Sequence, residues 1–330
     1  MKTQKRKLDH LHACLSKDVQ FRRSNGLDRY ELVHNALPEI DMEEIDMSTR
    51  FLGHDFDAPI FIEAMTGGTG EASKINRNLA KAAHGLGIGM GVGSQRAMIE
   101  NPDAVASYEV RDAAPGIFLA GNIGGAQIRE LDVKQIMDAL EKIHADALAI
   151  HLNPAQEIAQ DAGHEKWGGV LDAIKELRSR IKMPIIVKEV GCGISGDVAL
   201  RLEKAGVDAI DVAGAGGTSW VKVDSLITGK PLDNFFEWGI PTAECLAQCL
   251  RCVKIPVIAS GGIRNGIEAA KALAMGASLV GLALPLLRPA TKSASAVKSA
   301  LKHIIVELEI SMFLVSAKNL DELHGKIAKT

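Results

Sequence analysis

The chain has 330 residues, 47% of them hydrophobic in type and 24% charged, with a formal net charge of −3. This is the balance of a soluble globular protein with a sizeable core. It excludes a global field that would draw the chain to nucleic acid or to a membrane surface, so any anionic ligand must be met by local positive groups.

The N-terminus, Met1 to His10, is charged and lacks the apolar run of a signal peptide. No stretch approaches the ~20 continuous apolar residues of a membrane span. Five cysteines without framework spacing fit reduced thiols in a cytoplasm better than disulfides.

From about Ala58 onward one rhythm repeats. A short apolar run ends in glycine or polar residues, and an amphipathic stretch follows. The runs are Ile60–Met65, Ile88–Val92, Ile117–Ala120, Ala147–His151, Pro184–Lys188, Ala209–Val212, Pro256–Ala259 and Ser278–Ala283. Runs this short and apolar on both faces suit strands buried in a parallel sheet. Helical patterns such as Leu171–Leu177 and Ile267–Leu273 lie between them.

Eight strand–helix units favour a closed barrel over an open doubly wound sheet, which would also show a dinucleotide fingerprint in its first turn. The expected fold is therefore α/β, a single (β/α)₈ TIM barrel. Residues 1–57 form an N-terminal extension, 58–289 the barrel and 290–330 a helical C-terminal cap, all read as one domain.

In such a barrel the active site lies at the C-terminal ends of the strands. The polar or small groups there are Met65-Thr-Gly-Gly68, Ser94-Gln-Arg96, Asn122, His151-Leu-Asn153 with Gln156 and Glu157, Lys188-Glu189, Gly214 to Trp220, Ser260 to Arg264, and Ala283-Leu284. Singly, each reads equally well as a turn glycine or a satisfied hydrogen bonder. Together they indicate a polar site.

Three features sharpen the reading. Gly261-Gly-Ile-Arg264 leads into a helical pattern, where Cβ-free backbone and a helix N-terminus favour a phosphate; a plain βα turn is the alternative. Lys188 ends an apolar strand, which is costly unless it faces an anion or polar ligand, such as an electron-rich flavin pyrimidine ring; a salt bridge to Glu157 or Glu189 is the alternative. In His151-Leu-Asn-Pro-Ala-Gln156-Glu157, amides can hold substrate oxygens and the carboxylate can bind Mg²⁺ together with a diphosphate, although Gln-Glu pairs often just start a helix.

With Arg6-Lys7 and His10 at the N-terminus and Gly216-Gly-Thr-Ser-Trp220 after the sixth run, these blocks resemble the type 2 isopentenyl-diphosphate isomerase family, in order from residue 6 to about 285. HLNPAQE with SQR is the specific part; the GGIR block occurs across many FMN barrels.

The resemblance implies FMN across the barrel mouth, touched by Met65, Thr66, Gly67, Ser94, Asn122, Lys188 and Thr218. The FMN phosphate would rest on Gly262, Ile263, Arg264, Ala283 and Leu284. The substrate diphosphate would meet Arg6, Lys7, Ser94, Gln95, Arg96 and Gln156, with Mg²⁺ on Glu157. His151, Asn153 and Gln156 would serve the chemistry, which moves a double bond between isopentenyl and dimethylallyl diphosphate. Reduced FMN would act as proton donor and acceptor, NADPH only reducing it. A homo-oligomer, tetramer or octamer, is expected, and it matters for activity if the N-terminal tail closes over a neighbour's site.

One departure stands out: Ala213 follows Val212 where many relatives carry a hydroxyl residue near the flavin. The nearest rival is an FMN-dependent 2-hydroxy-acid oxidoreductase, which needs a histidine base and an arginine after the sixth strand; Ala213 to Thr218 offers neither. A non-catalytic flavin-binding barrel would not keep polar groups at every strand end. Cys245, Cys249 and Cys252 share a helical face but lack a fourth ligand, and read as an apolar stripe.

Overall fold

A computed structural model of the chain describes residues 2–161 and 163–330. All eight runs are strands: β1 (Ile60–Ile62), β2 (Gly89–Gly91), β3 (Leu119–Gly124), β4 (Ala147–His151), β5 (Ile185–Lys188), β6 (Ala209–Asp211), β7 (Val257–Ser260) and β8 (Leu279–Leu282). Each pairs in parallel with its neighbour in the chain, and β8 pairs with β1 to close the barrel. Closure removes every sheet edge, and all of these strands except the His151 end of β4 are buried along their length.

The third strand differs from its expected bounds. It begins two residues later than the apolar run and continues to Gly124, so Asn122 lies within it and not beyond its end. The Asn122 side-chain oxygen is matched by His151 on β4.

The crossovers follow from caps and amphipathic faces. Helix α1 (Lys2–Ser16) belongs to the N-terminal extension. Helix α2 (Gly70–His84) starts where Thr69 accepts from the Ala72 N–H, and α3 (Val133–Lys142) starts in a capping box of Asp132 and Gln135. Its Ile136, Ala139 and Leu140 turn into the core; burying a side chain such as Ile136 contributes roughly 1.5–3 kcal/mol.

Helices α4 (Pro154–Ala159) and α5 (Val170–Arg180) join β4 to β5, and α6 (Gly196–Lys204) joins β5 to β6. Helices α7 (Trp220–Thr228) and α8 (Thr242–Cys252) precede β7, and α9 (Gly266–Ala274) precedes β8. The chain then runs through α10 (Leu284–Lys292) and α11 (Ala294–Leu314).

The extension braces the barrel at both ends. Strand Tyr30–Leu32 pairs antiparallel with Ile327–Lys329 from the other terminus. A hairpin of Thr49–Phe51 and His54–Phe56 brings Phe51 and Phe56 against Phe118, each with ring centroids 5.8 Å away. Phe61 joins them, so an aromatic cluster covers the barrel at the end away from the site. Among the described residues no helix is long and apolar enough to cross a membrane. Cys245 and Cys249 are buried in the α8 face as an apolar stripe, while Cys252 is exposed.

Candidate active site

The C-terminal ends of the strands surround a cavity of about 250 Å³, and α1 contributes Arg6, Lys7, His10, Leu11 and Cys14 to its wall. Of the residues singled out in the sequence, Met65, Thr66, Ser94, Arg96, Asn122, His151, Asn153, Gln156, Glu157, Lys188, Thr218, Gly262, Ile263, Arg264, Ala283 and Leu284 line it together with Arg6 and Lys7.

Two do not. Gln95 is fully buried in the wall, where Nε2 donates to Ala139 O at 2.7 Å and Oε1 accepts from Asn122 N at 3.0 Å. Both ends of its amide are used, so it braces β3 and does not reach a ligand in the cavity. Gly67 is glycine for a packing reason: a Cβ there would stand 2.1 Å from the Tyr108 ring.

On one side of the cavity two glycine loops meet. A Cβ on Gly217 would lie 2.6 Å from Gly262 N, and Gly262 itself has φ of 79°, a conformation that costs a side chain. Arg264 crosses this seam, donating from Nη1 to Gly262 O at 2.6 Å and from Nη2 to Gly216 O at 3.0 Å. The extension holds the same loops. Arg264 Nη2 reaches Gln20 Oε1 at 2.6 Å, Asn25 Nδ2 donates to Gly262 O at 3.0 Å, and Phe21 N donates to Gly217 O at 2.9 Å.

At the floor, Lys188 makes neither of the salt bridges that the sequence offered. Its Nζ lies 2.7 Å from Asp211 Oδ2 and 3.2 Å from Glu63 Oε2, and it donates to the Glu189 carbonyl at 2.8 Å. The Glu189 carboxylate turns away to accept from the amides of Val190, Gly191, Cys192 and Gly193. Glu157 is likewise elsewhere, bonded to Asn153 and to His164 N. Burial pulls the Lys188 pKa down, but the carboxyls beside it, Asp211 first, more than offset it, so the ammonium stays charged.

Above Lys188, His151 Nδ1 is 2.7 Å from Asn122 Oδ1. The amide oxygen only accepts, so Nδ1 carries the proton and Nε2 offers a lone pair. Burial, with the Lys188 and Lys7 charges, lowers the His151 pKa to about 3; the ring is neutral and is no acid at neutral pH.

Beside it, Asn153 Nδ2 donates to Gln156 Oε1 and Glu157 Oε1, both at 3.1 Å, while its own Oδ1 is buried without a donor among the described residues. Gln156 Nε2 donates to Asp224 Oδ2 at 3.0 Å, and Asp224 Oδ1 meets His10 Nε2 at 2.7 Å. Arg6 Nη1 donates to Gln160 Oε1 at 2.7 Å. Lys7 Nζ donates to Ser94 O at 2.6 Å and to Tyr108 Oη at 2.7 Å. Burial and then the Arg6 charge lower the Lys7 pKa to about 7, with Glu100 opposing.

The sequence reading missed Glu63, Asp211, Asp224, Gln160, Tyr108, Gln20 and Asn25. Glu63 and Asp211 carried the same signal as Lys188, an ionisable residue within an apolar strand run. Asp224 sits within the apolar pattern of α7 (Val221, Val223, Leu226) and could have been noticed the same way.

The FMN-dependent dehydrogenase family pattern matches residues 2–119 and 124–330. The chain is 50% identical to the isopentenyl-diphosphate delta-isomerase of Pyrococcus furiosus, over 97% of this chain and 84% of that one. It is 44% identical to the isopentenyl-diphosphate delta-isomerase of Nostoc sp., over 97% and 94%. The fold matches the crystal structure of a Pediococcus acidilactici lactate oxidase with a TM-score of 0.74, covering 100% of this chain and 94% of that one at 17% identity. An eight-stranded barrel whose cavity is lined by two glycine loops on one side and by cationic residues of the N-terminal helix on the other, matched at this identity over nearly its whole length, belongs to the FMN-dependent type 2 isopentenyl-diphosphate delta-isomerase family.

Proposed function

We propose that the protein interconverts isopentenyl and dimethylallyl diphosphate, adding a proton at one carbon and removing one at another. The observation that carries this reading is the pairing of two features around one cavity. A cationic lid (Arg6, Lys7, Arg96) faces a wall of amides and a neutral histidine that cannot itself protonate an alkene.

The residues fit FMN. The loops at 216–217 and 261–262 pack tightly because they lack Cβ atoms, and Gly217, Gly261 and Gly262 present bare backbone to the cavity just ahead of the α9 N-terminus, a setting that favours a phosphate. Gly262, Ile263, Arg264, Ala283 and Leu284 would hold that phosphate, and Met65, Thr66, Ser94, Asn122, Lys188 and Thr218 the ring system. When bound and reduced, by NADPH in this reading, the flavin would supply the proton donor and acceptor that the side chains lack.

The chain's own residues then bind and orient. Arg6, Lys7 and Arg96 neutralise the diphosphate. Gln156 would be held against the hydrocarbon by Asp224 and Asn153, and His151 Nε2 would accept a hydrogen bond. Among the described residues no three His, Cys, Asp or Glu side chains gather to hold a metal. Mg²⁺ would therefore sit on Glu157 and the substrate's phosphate oxygens, as that ion commonly does.

In this reading residues 1–57 supply the lid, 58–289 the barrel and 290–330 the closing helices of one catalytic domain. The enzyme works as a cytoplasmic homo-oligomer, tetramer or octamer. The test is an anaerobic assay of isopentenyl diphosphate with Mg²⁺ and FMN, with and without NADPH. Dimethylallyl diphosphate forming only when the flavin is reduced, without stoichiometric NADPH use, is the expected result. No product from folded, flavin-loaded protein would sink the reading.

A further inference from the structure

Glu63 is the second carboxyl on Lys188, and the chemistry above does not use it. It directly follows β1, is 5% exposed, and stands 3.2 Å from Nζ. Neither of its oxygens takes a well-directed hydrogen bond among the described residues; its neighbours are the Lys188 ammonium and the Asp211 carboxyl, with which it can share a proton. Room for it exists because position 281 on β8 is glycine, where a Cβ would lie 2.1 Å from Oε1.

Asp211 is held quite differently. Its Oδ1 accepts from Ser260 Oγ at 2.5 Å and from Ala213 N at 3.3 Å, while Oδ2 takes the ammonium. The two carboxyls are thus unequal: one is fixed as an anion by donors, and the other meets an ammonium already balanced and the first carboxylate itself.

We propose that Glu63 is a positioning residue for the flavin, a proton-bearing brace on Lys188 whose ionisation withdraws the ammonium's field from the ring resting on it. The inference rests on the reading that FMN occupies the cavity. With Glu63 protonated the trio of Glu63, Lys188 and Asp211 is neutral; with Glu63 ionised it carries one net negative charge beneath an electron-rich ring. The penalty grows when the flavin is reduced.

A dry site with one ammonium and two carboxyls favours keeping a proton on the carboxyl with the fewer donors. Burial and then Asp211 push the Glu63 pKa upward, and the Lys188 charge opposes them only in part. Other titratable groups face the same cavity. His151 on β4 is already neutral, Glu189 after β5 points its carboxylate into backbone amides, and Lys7 on α1 titrates at about 7. Because Lys7 changes charge in the same range, only a comparison of variants isolates Glu63.

The experiment measures binding of oxidised and reduced FMN to full-length wild type and Glu63→Gln at pH 6 and pH 9. Flavin fluorescence gives the affinity for oxidised FMN, and the difference between the midpoint potentials of bound and free flavin converts it into the affinity for reduced FMN. At pH 6 the two proteins should agree. At pH 9 wild type should bind reduced FMN about tenfold more weakly than Glu63→Gln, with a correspondingly lower potential. A wild-type to variant ratio that does not change with pH overturns the proposal, because a merely structural role would shift both pH values alike.

Glu63→Ala carries the same comparison if the glutamine variant does not fold. A chain that binds no flavin at either pH, in any variant, overturns the FMN reading itself. Flavin bound with an unchanging ratio overturns only the role of Glu63.

Discussion

Gln156 donates to Asp224 Oδ2 at 3.0 Å and accepts from Asn153 Nδ2 at 3.1 Å, so both ends of its amide are fixed by buried partners. Asp224 also takes His10 Nε2 at 2.7 Å, so one carboxylate aligns the β4–α4 loop and helix α1 together. Asp224→Asn removes the carboxylate charge and replaces one acceptor oxygen with a donor, which either opposes Gln156 or turns His10 to the tautomer whose Nε2 accepts. Losing a hydrogen bond to a charged group, at about 1.5–3 kcal/mol, should lower kcat by roughly ten- to a hundredfold. The residues proposed to hold the flavin lie elsewhere, so FMN absorbance of the purified variant should match wild type. A variant with unchanged kcat would show that Gln156 needs no such alignment.

The scaffold was legible because parallel strands buried on both faces write themselves as short apolar runs; all eight runs became barrel strands. The rim was legible through the small and polar residues at the end of each run, and nearly all of those chosen that way line one cavity. Gln95 escaped this logic because periodicity places a residue near the rim without saying whether its side chain turns to the cavity or to the helix behind. Here it turns to Ala139 O. The partners of Lys188 escaped because ion pairing across a barrel joins residues distant in sequence, from β1, β5 and β6. Gln20 and Asn25 sit in an extension without periodic pattern, and only closure of the chain brings them to Arg264 and Gly262.

Lys7 predicts a pH dependence. Its ammonium is enclosed between Ser94 O and Tyr108 Oη, and its pKa is lowered to about 7. A bound diphosphate favours the charged form and raises that pKa in the complex. Affinity is therefore full below about 7, and falls as pH rises above it by up to about tenfold per unit until the pKa of the complex is reached. KM for isopentenyl diphosphate should rise between pH 7 and 9 in wild type. Lys7→Met should show a high KM throughout, with that slope lost. An identical slope in the variant would assign the dependence to another group.

Glu157 accepts from Asn153 Nδ2 through Oε1 and from His164 N, at 2.7 Å, through Oε2. Each oxygen keeps a second lone pair, enough for one place in an octahedral Mg²⁺ shell completed by substrate and water. Glu157→Gln removes the charge while keeping an acceptor for one of these donors. The Mg²⁺ concentration for half-maximal activity should rise at least about tenfold, with FMN content unchanged on absorbance. An unaltered Mg²⁺ titration would remove Glu157 from the metal site.

Ala213 is buried at the cavity edge with φ of 37°, in a region that L side chains rarely adopt. Asp211 Oδ1 accepts from its N–H at 3.3 Å, and its carbonyl accepts from Gly193 N at 3.1 Å, so the turn after β6 is held from two sides. Two substitutions separate the consequences. Ala213→Gly relieves the left-handed strain but frees the unfolded chain, so thermal stability should change little, by about 1 kcal/mol or less in either direction. Ala213→Ser places a hydroxyl at the cavity edge, where one added hydrogen bond of about 1 kcal/mol should tighten FMN binding by roughly fivefold. Flavin fluorescence titration of the three proteins gives the answer. If serine leaves the affinity as it is while glycine raises it, then backbone strain, and not the missing hydroxyl, limits flavin binding in this chain.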